Sequence, residues 1–422
     1  SSISFVNNQV ILDPAADLGY NTEHFVVYPA GTIKSYSDKY QNDQLIYSFT
    51  TKAQLLQMWA WGKNLGGALG QNDANIKRSS PVQIPGTTWK TGYSSMGASI
   101  AVKTDGTLWS WGYDGAGQGG RNSVITNSPG SKGRSSPAQV GTDTTWGQQL
   151  NHINMTNTAY AIKTNGTLWA WGSNTYGELG DNTIIKRSSP TQLGTETTWS
   201  DISGAARNRG FALKTDGTFW SWGYNDYGDL ALNNRTKISS PTQVGTDTNW
   251  SKVANYKWNS MGLKTDGTMW AWGYNTTGQL GLNDLIQRSS PTQIPGTWSN
   301  ISSGTPSNGN HGIAQKSDGT LWVWGDGSGT NGVGALGLNS TISRSSPTQL
   351  PGTTWDVAQM GNKTVIAVKT DGTLWSWGYN SDGGLGQNNV VKYSSPTQVG
   401  TDTNWIASSF RGGRNATIIM RS

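Results

Sequence analysis

The side chains of this 422-residue chain with chemistry to offer are three histidines, repeated aspartates and arginines, and twenty-two tryptophans. His24, His152 and His311 stand in unrelated contexts and no pair has ligand spacing, so no metal site is expected. Cysteine is absent, which excludes disulfides and thiolate sites. No Gly-x-Ser-x-Gly elbow, phosphate loop or dinucleotide fingerprint lies between a strand and a helix. The sequence therefore offers no catalytic residue and no cofactor site. Asp105, Asp216, Asp266, Asp318 and Asp371 could form a ring of carboxylates. Each precedes a glycine, however, and Asp-Gly between apolar runs supplies the positive φ angles of a two-residue hairpin turn. The lysines two residues earlier, such as Lys103 and Lys214, are expected to pair across the turn or to be solvated.

Binding chemistry has more candidates. Arg78, Arg134, Arg187, Arg288 and Arg344 each precede a Ser-Ser-Pro, with Ile238 and Tyr393 at the same place in two further copies. Rotational repetition would set these arginines on one face as a basic crown for an acidic partner. They could equally bridge to a neighbouring repeat or cap its carbonyls. Trp258, beside Tyr256 and Lys257, is the one tryptophan off the repeat template. Three segments exceed the template: Arg121 to Gly133, which carries Arg121 and Lys132, Gly304 to Gly312, and Asp326 to Gly334. Extra loop length is where binding residues are commonly carried.

The elements that must position these groups come from a repeat. Trp-x-Trp-Gly occurs seven times, from Trp59/Trp61 to Trp375/Trp377, about 50 to 60 residues apart. Each copy is followed by a Ser-Ser-Pro and then a single tryptophan, so the template holds 21 of the 22 tryptophans. Short β-prone runs, Gly-rich turns and no long amphipathic pattern predict an all-β chain. One such sheet cannot bury both faces, whereas seven stacked radially can. Six copies contain the Lys-Thr/Ser-Asp/Asn-Gly turn, and the seventh is split between Ala416–Ser422 and Gln57–Gly62. A seven-bladed β-propeller closed by pairing of N- and C-terminal strands is expected, with Met420 and its neighbours antiparallel to the strand of Trp59.

The Asp-Gly-x-Leu-Trp-x-Trp-Gly, Gly-x-Leu-Gly and Ser-Ser-Pro elements resemble those of the regulator of chromosome condensation family, over about residues 55 to 422. That resemblance implies the propeller fold and a rigid ring whose loops bind macromolecules. Members of the family include exchange factors, a β-lactamase inhibitor and surface proteins of bacteria and phages. Residues 1 to 54 lack the repeat and resemble the second half of a bacterial Ig-like domain. Half a sandwich leaves apolar groups uncovered, so Val10, Leu12, Phe25, Val27 and Phe49 are expected to mediate self-assembly or anchoring.

Only 13% of residues are charged, against about 25% in an average soluble protein. The net charge of +6 is too small for a nucleic-acid partner to be expected, and no apolar run is long enough to span a membrane. The chain opens at Ser1 with no signal-like segment, as a processed or excerpted chain would. Low charge with abundant Asn, Thr and Gly suggests an extracellular, cell-surface or virion location. From this follows the expectation of a non-enzymatic structural or adhesion protein of a phage or bacterial surface, whose partner is a protein or surface glycan. The alternative is an inhibitor or regulator that binds a protein through the propeller face.

Overall fold

The structure, a computed structural model, describes residues 2–6, 9–13, 23–28, 45–50, 56–74, 76–95, 97–122, 133–203, 208–302, 310–328, 334–361, 364–407, 411–412 and 416–421; for those below 51 it describes the backbone alone.

The Asp-Gly hairpin is the local unit from which the fold is built. Strand Ala98–Lys103 turns into Leu108–Tyr113. At the bend the Gly106 N–H donates to Lys103 O, and the Lys103 N–H to Thr107 O, both at 3.0 Å. This is a type I turn followed by a left-handed residue and a bulge, so only the glycine takes positive φ (+77°). The two-residue turn expected from the sequence is thus one residue longer. Asp105 contributes differently, accepting from the Thr107 N–H (2.9 Å) and hydroxyl (2.6 Å). Glycine is required here, since a β-carbon at Gly106 would lie 1.9 Å from Thr144 O. Gly217, Gly267, Gly319 and Gly372 repeat the geometry with φ of 76° to 80°.

Each hairpin gains a strand on either side, giving a four-stranded antiparallel sheet: Trp89–Ser95, Ala98–Lys103, Leu108–Tyr113 and Gly133–Gln139 form one. Seven such sheets make an all-β, seven-bladed propeller. In chain order this is the second blade; in the first, Arg411–Gly412, Ala416–Arg421, Gln57–Gly62 and Arg78–Gln83 lie side by side. Its register sets Ile419 opposite Trp59 and Met420 opposite Met58.

The tryptophans pack each blade and join it to the next. In the second blade Trp89 meets Trp109 edge-on at 6.0 Å and Trp111 at 5.9 Å. The first blade assembles the same trio from both ends of the chain, with Trp405 at 6.2 Å from Trp59 and 6.3 Å from Trp61. The second tryptophan of each pair is fully buried. In six of the seven its indole N–H donates to the preceding blade, as from Trp111 to Ala68 O (2.8 Å), Trp222 to Glu178 O (2.9 Å) and Trp61 to Gly384 O (3.0 Å), whereas that of Trp377 is buried without a partner among the described residues. A second latch runs the other way. Seven asparagines with positive φ donate their N–H to a serine carbonyl in the next blade, from Asn72 to Ser135 (2.8 Å) round to Asn388 to Ser79 (2.7 Å). Asparagine tolerates left-handed backbone better than other non-glycine residues, which explains its recurrence.

The chain divides into two units, Ser1–Leu55 and Leu56–Ser422. In the first, Ser2–Val6 pairs with Gln9–Asp13, and Glu23–Tyr28 with Leu45–Thr50, as two antiparallel hairpins.

Candidate protein-binding face

Antiparallel order gives every blade two ends. The Asp-Gly turns and the links from one blade to the next share one end, here the hairpin face. The turn between the first two strands and the long loop between the last two share the other, the loop face.

On the hairpin face each repeated lysine lies over two tryptophans. Lys103 Nζ is 4.0 Å from the Trp109 ring centroid and 5.1 Å from that of Trp89. Lys163, Lys214, Lys264, Lys316 and Lys369 repeat this, and Arg421 takes the position over Trp59 and Trp405. The expected cross-turn pairing is therefore replaced by cation–π stacking, worth about 0.5–2 kcal/mol per site. Several of these cations also meet a carboxylate from the blade-to-blade link: Lys163 meets Asp143, Lys214 meets Glu196 (2.6 Å) and Arg421 meets Asp402 (2.8 Å). Burial works to raise the Asp143 pKa, but hydrogen bonds from Lys163 and Thr145 outweigh it and hold the carboxyl down to about 2. A carboxyl lowered by folding stabilises the native state fully above its ordinary pKa and loses that contribution as pH falls through the folded value. Asp143→Asn is thus expected to melt below the native chain at pH 6, with the gap closing between pH ~4 and ~2. Thermal melts of both chains across that range check this.

The loop face carries a different cluster. Tyr227, Trp258 and Tyr274 form a triangle with ring centroids 5.0 to 5.5 Å apart, and Lys257 Nζ lies 3.9 Å over Trp258. All three rings are half-buried. One blade back, Tyr176 meets Tyr224 at 5.2 Å, with Lys237 over both rings. Burial and a hydrogen bond to Asp226 hold the Tyr224 hydroxyl pKa well above its ordinary value. Tyr256 is buried and donates to Ser302 O at 2.7 Å, so it supports the hairpin that presents Trp258. Arg209 supports it from below. Fully buried, it pairs with the equally buried Asp229 and donates to Asn255 Oδ1 (2.8 Å), Tyr256 O (2.6 Å) and Lys257 O (3.0 Å). Sequence reasoning singled out Trp258 and missed the tyrosines. A tyrosine directly after Trp-x-Trp-Gly recurs at Tyr113, Tyr224, Tyr274 and Tyr379, so the position of Tyr274 could be found in the sequence, whereas nothing local marked Tyr227.

The arginines before Ser-Ser-Pro start the outermost strand of their blades, on the loop-face side. Arg78, Arg187 and Arg288 pair with Asp73, Asp181 and Asp284 of their own loops at 2.6, 3.0 and 2.6 Å, while Arg134 is exposed and Arg344 half-buried. Arg121 turns inward to Asp114 at 3.1 Å and to the Ser110 hydroxyl. Lys132 lies outside the described residues, as do 123–132, 303–309 and 329–333 of the three long segments. Among the described residues no three His, Cys, Asp or Glu side chains gather as a metal site would need, and no helix is long and apolar enough to cross a membrane.

Residues 165–207, 216–255, 266–305 and 371–419 match the regulator of chromosome condensation (RCC1) repeat. The chain carries RCC1 repeats. Over 87 residues it is 32% identical to the Protein RCC2 homolog of Xenopus laevis, and over 86 residues 31% identical to the Ultraviolet-B receptor UVR8 of Arabidopsis thaliana. Each match covers 20% of this chain, and spans less than a fifth of the relative (17% and 19%). Two solved structures superpose at a TM-score of 0.72 and 18% identity: human WBSCR16, over 87% of this chain and 99% of that one, and Prp20p of Saccharomyces cerevisiae, over 87% and 92%. They establish the fold. The latter structure is described with the binding of Prp20p to Gsp1p and histones.

These relatives overturn the expected phage or bacterial-surface adhesion role and the extracellular or virion location, since nothing among them points to either. The composition that suggested those readings has a structural cause. Each blade has a left-handed asparagine for its latch and glycines in its turns, and six have a threonine after the Asp-Gly or Asn-Gly of the hairpin. Seven copies make the chain rich in Asn, Thr and Gly wherever it resides.

Proposed function

We propose that the chain is a non-enzymatic regulator that binds a protein partner on the loop face of its propeller, centred on Trp258. The observation that carries this reading is the asymmetry of that face. The tryptophan outside the repeat template stands half-exposed among Tyr227, Tyr274 and Lys257. Beneath it the buried Arg209 fixes the hairpin. Aromatic residues with a basic neighbour on a rigid support are the usual anchors of protein interfaces. The partner named for Prp20p supports a protein rather than a glycan. Trp258→Ala is expected to weaken partner binding by about 2 kcal/mol, roughly 30-fold, while leaving the melting temperature within a few degrees. Titrating a cross-linked and identified partner against native and variant chains tests this. Equal affinity would remove Trp258 from the interface and the reading with it.

Two further parts of the reading concern the chain ends. Closure of the ring by the terminal strands is supported by the pairing of Ile419 with Trp59 and by the Trp61 and Asn388 latches to and from the seventh blade. For residues 1–54 the reading is half an Ig-like domain that assembles or anchors through Val10, Leu12, Phe25, Val27 and Phe49. Register supports it, with Phe5 opposite Val10, Ile3 opposite Leu12 and Val27 opposite Ile46.

A further inference from the structure

Apart from Leu65, the large exposed aliphatic side chains in the described part of the propeller do not scatter. Ile184 and Ile185, Leu285 and Ile286, and Val390 and Val391 are 56% to 70% exposed. All six occupy one structural position, the end of the long loop just before the outermost strand, in the third, fifth and seventh blades. Ile76 and Ile342 stand at the same place in the first and sixth. In the fourth blade that place holds Arg235-Thr236-Lys237, where Lys237 covers Tyr176 and Tyr224.

These tips are held, not loose. In the third, fifth and seventh blades a buried asparagine two residues after Trp-x-Trp-Gly donates its side-chain N–H to the tip backbone: Asn174 to Ile185 O (3.1 Å), Asn275 to Ile286 O (3.2 Å) and Asn380 to Val391 O (2.8 Å). Its oxygen accepts the N–H of the leucine buried in the same loop, as Leu179 gives to Asn174 at 2.8 Å. A scaffold that fixes aliphatic side chains in water at the same place in blade after blade presents a contact surface. Cations stand beside the tips, with exposed Lys186 after Ile185 and exposed Lys392 after Val391. The opposite, hairpin face ends instead in the exposed turn carboxylates Asp216, Asp266 and Asp371.

We propose that the outer edge of the loop face binds an extended acidic segment of the partner protein, whose aliphatic side chains seat on these tips. This rests on the protein-binding reading above and names the chemistry of what is bound. Charge selects the face, since an acidic segment meets lysines at the tips and carboxylates at the hairpin turns. Spacing selects an extended segment, since tips in five separate blades are a series of separate footholds. The carboxylates Asp73, Asp181 and Asp284, which pair with the tip arginines, make the edge mixed in sign and a poor match for a uniformly anionic lipid surface.

The test uses the full chain and three fluorescent 20-residue peptides that alternate Glu with Leu, Glu with Ser, or Lys with Leu. A variant with Ile184→Ser, Ile185→Ser, Val390→Ser and Val391→Ser is its companion. These side chains face water, so the variant is expected to fold, which a thermal melt verifies. The Glu/Leu peptide is expected to bind at least tenfold more tightly than the other two, and to lose at least tenfold on the variant. Equal binding of the three peptides, an unaffected variant, or sedimentation with phosphatidylserine vesicles in the absence of Glu/Leu binding would overturn the proposal. The identified partner separates the two readings. If the serine variant holds it undiminished while Trp258→Ala does not, the acidic-segment inference fails and the protein-binding reading stands.

Discussion

A chain that stops before residue 411 is expected to lose its cooperative thermal transition and to aggregate. The segment it lacks places Ile418, Ile419 and Met420 in the core with no exposed surface. At about 1.5–3 kcal/mol for each such side chain, the loss is roughly 5–9 kcal/mol. Domains commonly have only about 5–15 kcal/mol in total. The deletion also strips hydrogen-bond partners from strand Gln57–Gly62, which then offers an open edge to other chains. Calorimetry and size-exclusion chromatography check the outcome. A truncated chain that stays monomeric and melts within about 5 °C of the native one would show that the terminal pairing does not close the ring.

The second large effect concerns the buried ion pair. Arg209→Met leaves the Asp229 carboxylate in a site with no exposed surface, and breaking such a pair from one side costs about 3–5 kcal/mol. Burial already raises the Asp229 pKa while Arg209 opposes that rise. Without the guanidinium the folded carboxyl holds its proton to still higher pH. A group with a raised folded pKa makes the native state less stable as pH climbs from the unfolded value through the folded one. The variant's deficit should therefore be larger at pH 8 than at pH 5. Arg209→Met combined with Asp229→Leu should recover most of the loss, because a well-packed apolar pair can replace a buried ionic one. Urea denaturation of the three chains at both pH values decides this. A single variant no less stable than the double one would mean that the carboxylate finds another partner.

The fold was legible because its signals recur. One Asp-Gly or one Ser-Ser-Pro means little, but seven tryptophan pairs at a fixed period admit few architectures. What could not be read were interactions that depend on a neighbour distant in sequence. Lys103 was assigned to the turn beside it, whereas Trp89 and Trp109 hold it. Arg121 looked like a loop cation and is turned into the blade by Asp114. The tyrosines around Trp258 come from two blades, so no local pattern gathers them. The location failed for another reason: composition was taken as a sign of habitat, when the repeated turns and latches dictate it.

The first blade also imposes a timetable on the newborn protein. Its strands pair Gln57 with Arg421, so 364 residues of chain must be made between one partner and the other. At synthesis rates of about 5–20 residues per second the wait is roughly 20–70 s. Through that interval strand Gln57–Gly62 carries Trp59 and Trp61 without the strand that flanks them in the finished ring. The intervening blades can form in order as they emerge, the second to the sixth each latching onto its predecessor through an indole N–H. Strand Gln57–Gly62 keeps an open edge until its partner Ala416–Arg421 has been made, and this is when a ribosome-bound chaperone would have most to protect.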